Sequence, residues 1–339
     1  MKRVIILCGG QSSEHEISCI SAGGIMKAID RREYEPILIG IKKSGQWVIP
    51  PVEQSLEIVD GVLPEITTGT PAGFSDILAQ VNPDLVFPIL HGPYGEDGTI
   101  QGLLETAGIK YVGSGVLASA VAMDKSFAKQ IFQAHGLKVA QGIVLHQRDW
   151  NGEIDIGSLK YPLFVKPSRG GSSRGTTKVK SADHLAAAID EALTFDTKVI
   201  IEAAILGREI ECAVLQIAGT SQGSPVGEIV VDPRFEFYDF EAKYLDSSTK
   251  LLIPDDLPSE AIQVAAVKAF NALGCEGLAR VDFFYTAQGE LFINEINTMP
   301  GFTPTSVFAK LWSVAGREYS DLITELLQSA LLRSASVTR

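Results

Sequence analysis

A chain of 339 residues is long enough for two or three domains with real cores, and 45% hydrophobic against 21% charged residues is the balance of an ordinary globular protein. A net charge of −12 without a long basic run argues against nucleic acid or an anionic membrane as the main partner, and no apolar stretch reaches the ~18 residues of a membrane span. Cys8, Cys19, Cys212 and Cys275 are scattered, with no C-x-x-C spacing, and read as small core hydrophobes in a reducing compartment rather than a zinc site or disulfide framework. The N-terminus enters a strand pattern with no signal-peptide core ahead of it, so a cytoplasmic protein is expected.

Arg3 to Cys8 is a continuous apolar run of the buried parallel-strand type. Gly9-Gly10-Gln11-Ser12 turns the chain, and Ser13 with Glu16 spells an S-x-x-E capping box that opens a helix to about Ile29. This order puts Glu14 and His15 at a strand's carboxyl end, where open α/β sheets collect ligands. Glu14 is equally explained as a carboxylate favouring the helix dipole. The Gly-Gly is not a GxGxxG fingerprint. Strands are expected at Pro36 to Ile41, Trp47 to Ile49 and Asp84 to Leu90. The last ends in a Gly-rich turn carrying His91, at the same sheet edge as Glu14, before a helix from Thr99. The first domain is expected to run to about residue 121. Two helices follow, the second stopped by Gly136, with Lys125 in its first turn against the dipole.

Tyr161 to Lys166 is a strand, and Thr176 to Val179 is the next. Between them, Pro167-Ser168-Arg169-Gly170-Gly171-Ser172-Ser173-Arg174-Gly175 suits phosphate, because glycine backbone approaches closely, hydroxyls donate and Lys166 adds a point charge. It is not a GxxxxGK[ST] loop, since the lysine precedes the glycines. Helix Ser181 to Leu193 and strand Lys198 to Glu202 lead to an apolar connector bracketed by Glu202 and Glu209, which reads either as an adenine seat or as a hinge. Residues 232–249, rich in aromatics and without clear secondary structure, read as a lid. After a helix from Ser259, two apolar runs, 280–285 and 290–297, flank Thr286-Ala287-Gln288-Gly289 as a hairpin. A turn centred at Gln288-Gly289 sets Phe284 opposite Ile293, Asp282 opposite Glu295 and Arg280 opposite Asn297, all on one face. Two facing carboxylates beside an amide oxygen suit a hard divalent cation such as magnesium; a solvated face with Arg280 balancing the acids is the other reading.

Together, GGQSSEHEIS, HGPYGEDGTIQG, MDKSFAK, VKPSRGGSSRG, IEAAILGREIECAV, FYDFEAKY, GLARVDFF and INEINTMPGFTPTS, in this order along nearly the whole chain, resemble the ATP-grasp superfamily and, within it, the D-alanine–D-alanine ligase family. The resemblance implies a three-domain α/β ATP-grasp fold: an N-terminal parallel α/β domain (1–121), then two α+β subdomains (122–208 and 209–339) gripping ATP. It implies two magnesium or manganese ions on Asp282, Glu295 and Asn297. Lys125, Lys166, Ser172 and Ser173 would hold ATP phosphates. Glu202, Ala203, Ala204, Ile205, Glu209 and Phe284 would surround adenine and ribose, with Lys243, Asn294 and Glu295 completing the nucleotide site. The reaction implied is ATP-dependent joining of two D-alanines through an acyl phosphate, for peptidoglycan precursors, by a homodimer. In it, Glu14 anchors the first ammonium with His91 nearby, Arg280 and the Gly301 N–H stabilise the oxyanion, and Ser306 and Val307 hold the second D-alanine. Glu14, Ser172 and Tyr244 would form the set that ties the lid down.

The sequence departs from the family at Gly170 and Arg174, where glutamate and valine are common, at Phe308-Ala309, where Tyr-Pro is frequent, and at the small Ala203-Ala204 pair. Ligation of D-alanine to D-lactate or D-serine, and a non-catalytic ATP sensor, are the competing readings. Tyr244 in the lid favours an amine nucleophile, and retention of Arg280 with both carboxylates argues against a mere sensor.

Overall fold

The computed structural model describes residues 1–232, 234 and 249–333. Most of the expected lid, including Lys243 and Tyr244, lies outside the described residues.

Strand β1 (Lys2–Gly9) is fully buried from Val4 onward, as a β-branched run covered on both faces must be. It pairs in parallel with β2 (Tyr34–Ile41) and β5 (Leu85–Pro88). The short β3 (Trp47–Ile49) and β4 (Thr70–Pro71) add antiparallel to the β2 edge, giving the order β4-β3-β2-β1-β5. The sheet is therefore parallel from β2 to the β5 edge and antiparallel at the other edge. Helix α1 (His15–Ala28) opens without the expected capping box. Glu14 occupies the N-cap and makes no side-chain cap, while Glu16 Oε1 takes Lys43 Nζ at 2.5 Å. A charged partner is worth more to a carboxylate than a neutral backbone N–H. Helices α2 (Phe74–Val81), α3 (Thr99–Thr106), α4 (Val116–Met123) and α5 (Lys125–Ala134) follow.

The second sheet is antiparallel, in the order β6-β9-β7-β8: β6 (Gly142–His146), β7 (Leu163–Pro167), β8 (Thr177–Val179) and β9 (Lys198–Ala203), with α6 (Leu185–Leu193) packed on it. The third is also antiparallel, β13-β12-β10-β14-β15 with β11 on β10. It comprises β10 (Gly207–Ile217), β11 (Thr220–Gly223), β12 (Gly227–Val230), β13 (Lys250–Leu252), β14 (Leu278–Thr286) and β15 (Leu291–Asn297), backed by α7 (Ser259–Ala272). Helices α4 and α5 share this sheet's core through Ala122 and Phe132.

The chain closes with α8 (Val307–Val314) and α9 (Tyr319–Leu332), which return to the first sheet. Phe87 of β5, Phe302, Phe308, Trp312 and Leu322 lie in one continuous core with β1 and α1. Phe302 stacks within 5.7 Å of both Phe87 and Phe308 and 5.3 Å of Tyr319. Each such ring pair adds about 0.5–1.5 kcal/mol beyond burial. This packing holds the 298–306 segment against the carboxyl edge of β1 and β5. Among the described residues, no helix is long and apolar enough to cross a membrane.

Candidate active site

Two cavities run along the cleft between the sheets. One, of about 270 Å³, lies between the second and third sheets; the other, of about 390 Å³, lies between the third sheet, the 298–306 segment and the first sheet's carboxyl edge. Lys125, Gly170, Ser172 and Glu295 line both, so the cavities meet at these residues.

The wall of the first cavity follows from hairpin geometry. Arg280 faces Asn297 and Asp282 faces Glu295, as expected, but Phe284 faces Phe292 and Phe283 faces Ile293, which centres the turn on Gln288. The expected Phe284–Ile293 pair is thus displaced by a bulge that leaves Asn294 as the extra residue on β15. The bulge turns Asn294 to the cleft, where its Oδ1 accepts from Lys166 Nζ at 3.2 Å. The row extends onto β10, where Glu211 faces Asp282. Three carboxylates, Glu211, Asp282 and Glu295, therefore stand side by side on adjacent strands. Arg280 neutralises two of them: Nε and Nη2 donate to Asp282 at 2.7 Å each, and Nε lies 3.0 Å from Glu211. Asn297 Nδ2 donates to Asp282 at 3.0 Å. Glu295 pairs with Lys125 at 3.0 Å, which outweighs the lowering effect of burial and raises the lysine's pKa. Among the described residues no group of three His, Cys, Asp or Glu is arranged to hold a metal ion by itself. Asp282, Glu295 and Asn297 nonetheless offer a purely oxygen donor set, the kind that suits a hard cation completing its shell with phosphate oxygens.

Lys166, on β7, pairs with Glu202 of β9 at 2.8 Å, and Lys129 of α5 pairs with the other Glu202 oxygen. Burial would raise the Glu202 carboxyl, yet Lys129 and Lys166 overcome it and hold it near 2. Ala203 to Ile205, Glu209 and Phe284 line the same cavity, as do Ser172, Ser173 and Arg174. Arg169 does not. Its guanidinium is tied to Asp196 (Nη2 to Oδ1, 2.5 Å) and its N–H donates to the same carboxylate at 2.8 Å, so the phosphate loop brings one arginine to the cavity, not two.

The root of that loop sits in a polar cluster whose four members are all buried. Asp124 caps α5, accepting from Ser126 N and Phe127 N; Ser168 Oγ donates to it at 2.8 Å, and Lys198 Nζ contacts both Asp124 and, at 2.9 Å, Ser126 Oγ. Lys125 N donates to Ser168 O and its ammonium to Gly170 O at 2.7 Å, so the cluster sets lysine and loop together.

The second cavity gathers Glu14, His91, Arg280, Gly301, Ser306 and Val307. Glu14 is buried, and Ser172 Oγ donates to it across the cleft. Ser172 and Ser173 sit at φ +51 and +57, left-handed values that strain ordinary residues and are held by the loop's contacts. His91 Nδ1 donates to Met299 O at 2.9 Å, which leaves Nε2 to accept from Ser21 Oγ at 3.4 Å. Burial pulls its pKa below the usual range, so the ring is a neutral strut between β5 and the 298–306 segment. Glu96 accepts from Gly92 N and Met299 N, and burial together with Glu14 pushes its carboxyl up to about 8. A neutral Glu96 spares this wall a second negative charge beside Glu14.

Sequence reasoning did not single out Glu96, Lys129, Glu211 or the Asp124–Lys198 pair. Lys129 carries the one local signal, an i, i+4 spacing from Lys125 on the same helix face.

Comparison with known proteins shows the family. Family models described as D-ala D-ala ligase N-terminus and D-ala D-ala ligase C-terminus match residues 3–114 and 131–328. A D-alanine--D-alanine ligase of Paenarthrobacter aurescens is 50% identical, covering 99% of this chain and 96% of the relative; one from Mycobacterium avium is 46% identical over 99% and 98%. Among solved structures, the VanG D-Ala:D-Ser ligase of Enterococcus faecalis superposes with a TM-score of 0.79 at 34% identity, over 97% of this chain and 99% of that one. The D-alanine--D-alanine ligase of Bacillus anthracis complexed with ATP gives 0.75 at 28% identity, over 98% of both. The chain belongs to the D-alanine–D-alanine ligase family.

Proposed function

We propose that the chain joins two D-alanines at the expense of ATP, releasing ADP and phosphate, in the cytoplasm and as a homodimer. The observation that supports this best is the meeting of the two cavities at Lys125, Gly170, Ser172 and Glu295. A nucleotide in the first cavity presents its terminal phosphate at that junction, and an amino acid held by Glu14 presents its carboxylate there from the other side. The carboxylate attacks the γ-phosphate, the bond to ADP breaks, and an acyl phosphate forms. The amine of the second D-alanine, held near Ser306 and Val307, attacks that carbonyl and phosphate leaves.

Lys125 and Lys166, each positioned by a carboxylate or amide across the cleft, draw phosphate oxygens into line. Glu202 and Glu209, with the backbone of Ala203 to Ile205 and the ring of Phe284, take the base and ribose. Asp282, Glu295 and Asn297 would hold two divalent cations, whose charge would offset that of the phosphates. Arg280 and the Gly301 N–H are the fixed donors for the oxyanion of the tetrahedral intermediate, and fixed donors avoid reorganisation as charge develops. Ser172, which donates to Glu14, would order the loop over an intermediate that water destroys; Tyr244, expected as the third member of that set, lies outside the described residues.

A coupled assay for ADP with ATP, magnesium and D-alanine tests the assignment: ADP release that does not depend on D-alanine overturns it. D-lactate or D-serine accepted in preference as second substrate at neutral pH would move the chain to the depsipeptide or D-serine branch. Arg280→Ala should lower kcat at least ~100-fold with less than ~5-fold change in ADP affinity, since an oxyanion donor acts in the transition state.

A further inference from the structure

Glu211 takes no part in the reaction as outlined, yet it touches the residue assigned to the oxyanion. It is 3% exposed, lines the first cavity, and begins the row Glu211–Asp282–Glu295 that crosses β10, β14 and β15. Arg280, two residues along β14 and on the same face, lines the second cavity. The contact of its Nε with Glu211 at 3.0 Å therefore spans the wall between the two cavities. The residue opposite Arg280 on β10 is Ala213, too small to keep the guanidinium from reaching Glu211.

The two carboxylates around Arg280 are not equivalent. Asp282 takes the guanidinium through two hydrogen bonds of 2.7 Å, and one of the same oxygens accepts from Asn297 at 3.0 Å. Asp282 also belongs to the oxygen set proposed for divalent cations, and Glu211 does not. Positive charge brought onto Asp282 opposes a guanidinium bonded to the same oxygens. An arginine this far from water, 17% exposed at its side chain, needs a carboxylate that stays with it. Glu211 is placed to be that carboxylate.

We propose that Glu211 is the positioning residue for Arg280: it anchors the guanidinium from outside the cation-binding set, so that Arg280 keeps its direction into the second cavity when the Asp282 oxygens serve a cation. The proposal rests on the oxyanion role given to Arg280 above and adds the group that fixes it. A donor stabilises developing charge without reorganising only if it is held beforehand, and a long flexible side chain is held by an anchor on the side away from the substrate.

The test is a double-mutant cycle in the D-alanine-dependent ADP assay, with Glu211→Gln and Arg280→Met alone and together. Active sites are counted by ADP calorimetry, so that unfolded protein drops out of kcat. Glu211→Gln should lower kcat by ~10- to 100-fold, the scale of a misplaced reacting group, with the KM for ATP changed less than ~3-fold. In the Arg280→Met background the same change should cost less than ~2-fold, because the group it positions is gone. Equal falls in both backgrounds overturn the proposal. So does a raised magnesium requirement that Glu211→Gln shows in both, which would make Glu211 a cation ligand. Glu211→Asp keeps the charge but withdraws it by one methylene, and its kcat should fall between; a wild-type kcat there would reduce Glu211 to charge balance and overturn the positioning role. A readout free of turnover follows the Nε–H proton resonance of Arg280, identified by its absence in Arg280→Met. With ADP alone it should persist in wild type and in Glu211→Gln, since Asp282 takes Nε in both. With ADP and magnesium it should persist in wild type and be lost to water exchange in Glu211→Gln; persistence in both overturns the proposal. A wild-type kcat in Arg280→Met would overturn the oxyanion role of Arg280 instead, and the resonance would still decide whether Glu211 holds it.

Discussion

Replacing Gly171 with alanine isolates the contact between the phosphate loop and the first cavity's neighbour. A Cβ built on Gly171 would stand 2.6 Å from Glu14 Oε2, and one on Gly92 would stand 2.9 Å from the same oxygen. The Glu14 carboxylate thus packs against two bare backbones and has little room to yield. Reaching the 3.4 Å of ordinary contact requires the carboxylate or the loop to retreat by roughly 0.8 Å, and a misplacement near 1 Å costs on the order of 10²-fold where reacting groups must be aligned. Because the atom displaced is the end of a side chain, stability should change little. The expected outcome is a fall of ~10- to 100-fold in kcat/KM for D-alanine, with ADP affinity by calorimetry within ~3-fold and the melting temperature within ~2 °C of wild type. Gly170→Ala serves as the control, since the atoms nearest its Cβ are those of Pro167 at 3.1 and 3.4 Å and Arg174 O at 3.7 Å, none of them on Glu14. An unchanged kcat/KM in Gly171→Ala, or an equal loss of ADP affinity, would refute the reasoning that the glycine exists to let Glu14 sit where it does.

Three further outcomes follow from other contacts. Phe302→Ala empties the ring stack with Phe87, Phe308 and Tyr319 and should cost ~3–5 kcal/mol in denaturant unfolding, with a parallel loss of D-alanine affinity as the 298–306 segment comes loose. Lys198→Met leaves Asp124 and Ser126 without their buried cation; a loss of ~3–5 kcal/mol in the same melt is expected, and less than ~1 kcal/mol would show that the cluster is not coupled to stability. Glu202 titrates near 2 in the folded chain against 4.5 ordinarily, so it binds fewer protons folded than unfolded between those values. Its contribution, on the order of 3 kcal/mol, is present above pH 4.5 and disappears as pH falls toward 2. Acid unfolding followed by circular dichroism should therefore be shallower in Glu202→Gln across pH 4.5 to 2; parallel curves would remove Glu202 from the acid response.

What the sequence reveals and what it conceals divides along the range of the interactions. The β14–β15 hairpin was readable because period-two alternation and a Gly-containing turn are local, but its turn centres on Gln288, and it is the bulge that restores the expected Asp282–Glu295 and Arg280–Asn297 pairs. The bulge at Asn294 was not readable, since one extra residue leaves no mark in the alternation and shifts only the pairs between it and the turn. Glu211 sits in an alternating strand like any other, and only the pairing of β10 with β14 brings it opposite Asp282. Asp124, Ser168 and Lys198 are separated by 44 and 74 positions from one another's partners, so no window of sequence contains them. Arg169 lies in the phosphate loop beside the glycines, but Asp196, 27 positions on, takes it. The capping box failed for the same reason: Lys43 competes for Glu16 from 27 positions away. Short strands such as β4, β11 and β13, two to four residues each, lie below the length at which periodicity carries information.

Four cations of the cleft share one property that no single motif conveys: each is already matched. Lys125 is held by Glu295, Lys129 and Lys166 by Glu202, and Arg280 by Asp282 and Glu211. Bare lysines in so low a dielectric would repel one another and lose protons, so the carboxylates keep them charged and in place. A triphosphate entering this cleft must compete with resident carboxylates, which weakens its hold unless something takes those carboxylates over. Asp282 and Glu295 are the pair proposed to bind divalent cations, and they are also partners of Arg280 and Lys125. Phosphate that drew Lys125 away would free Glu295 for a cation, and a cation on Asp282 would leave Arg280 still held in place by Glu211. In this arrangement nucleotide and metal should each bind better in the presence of the other.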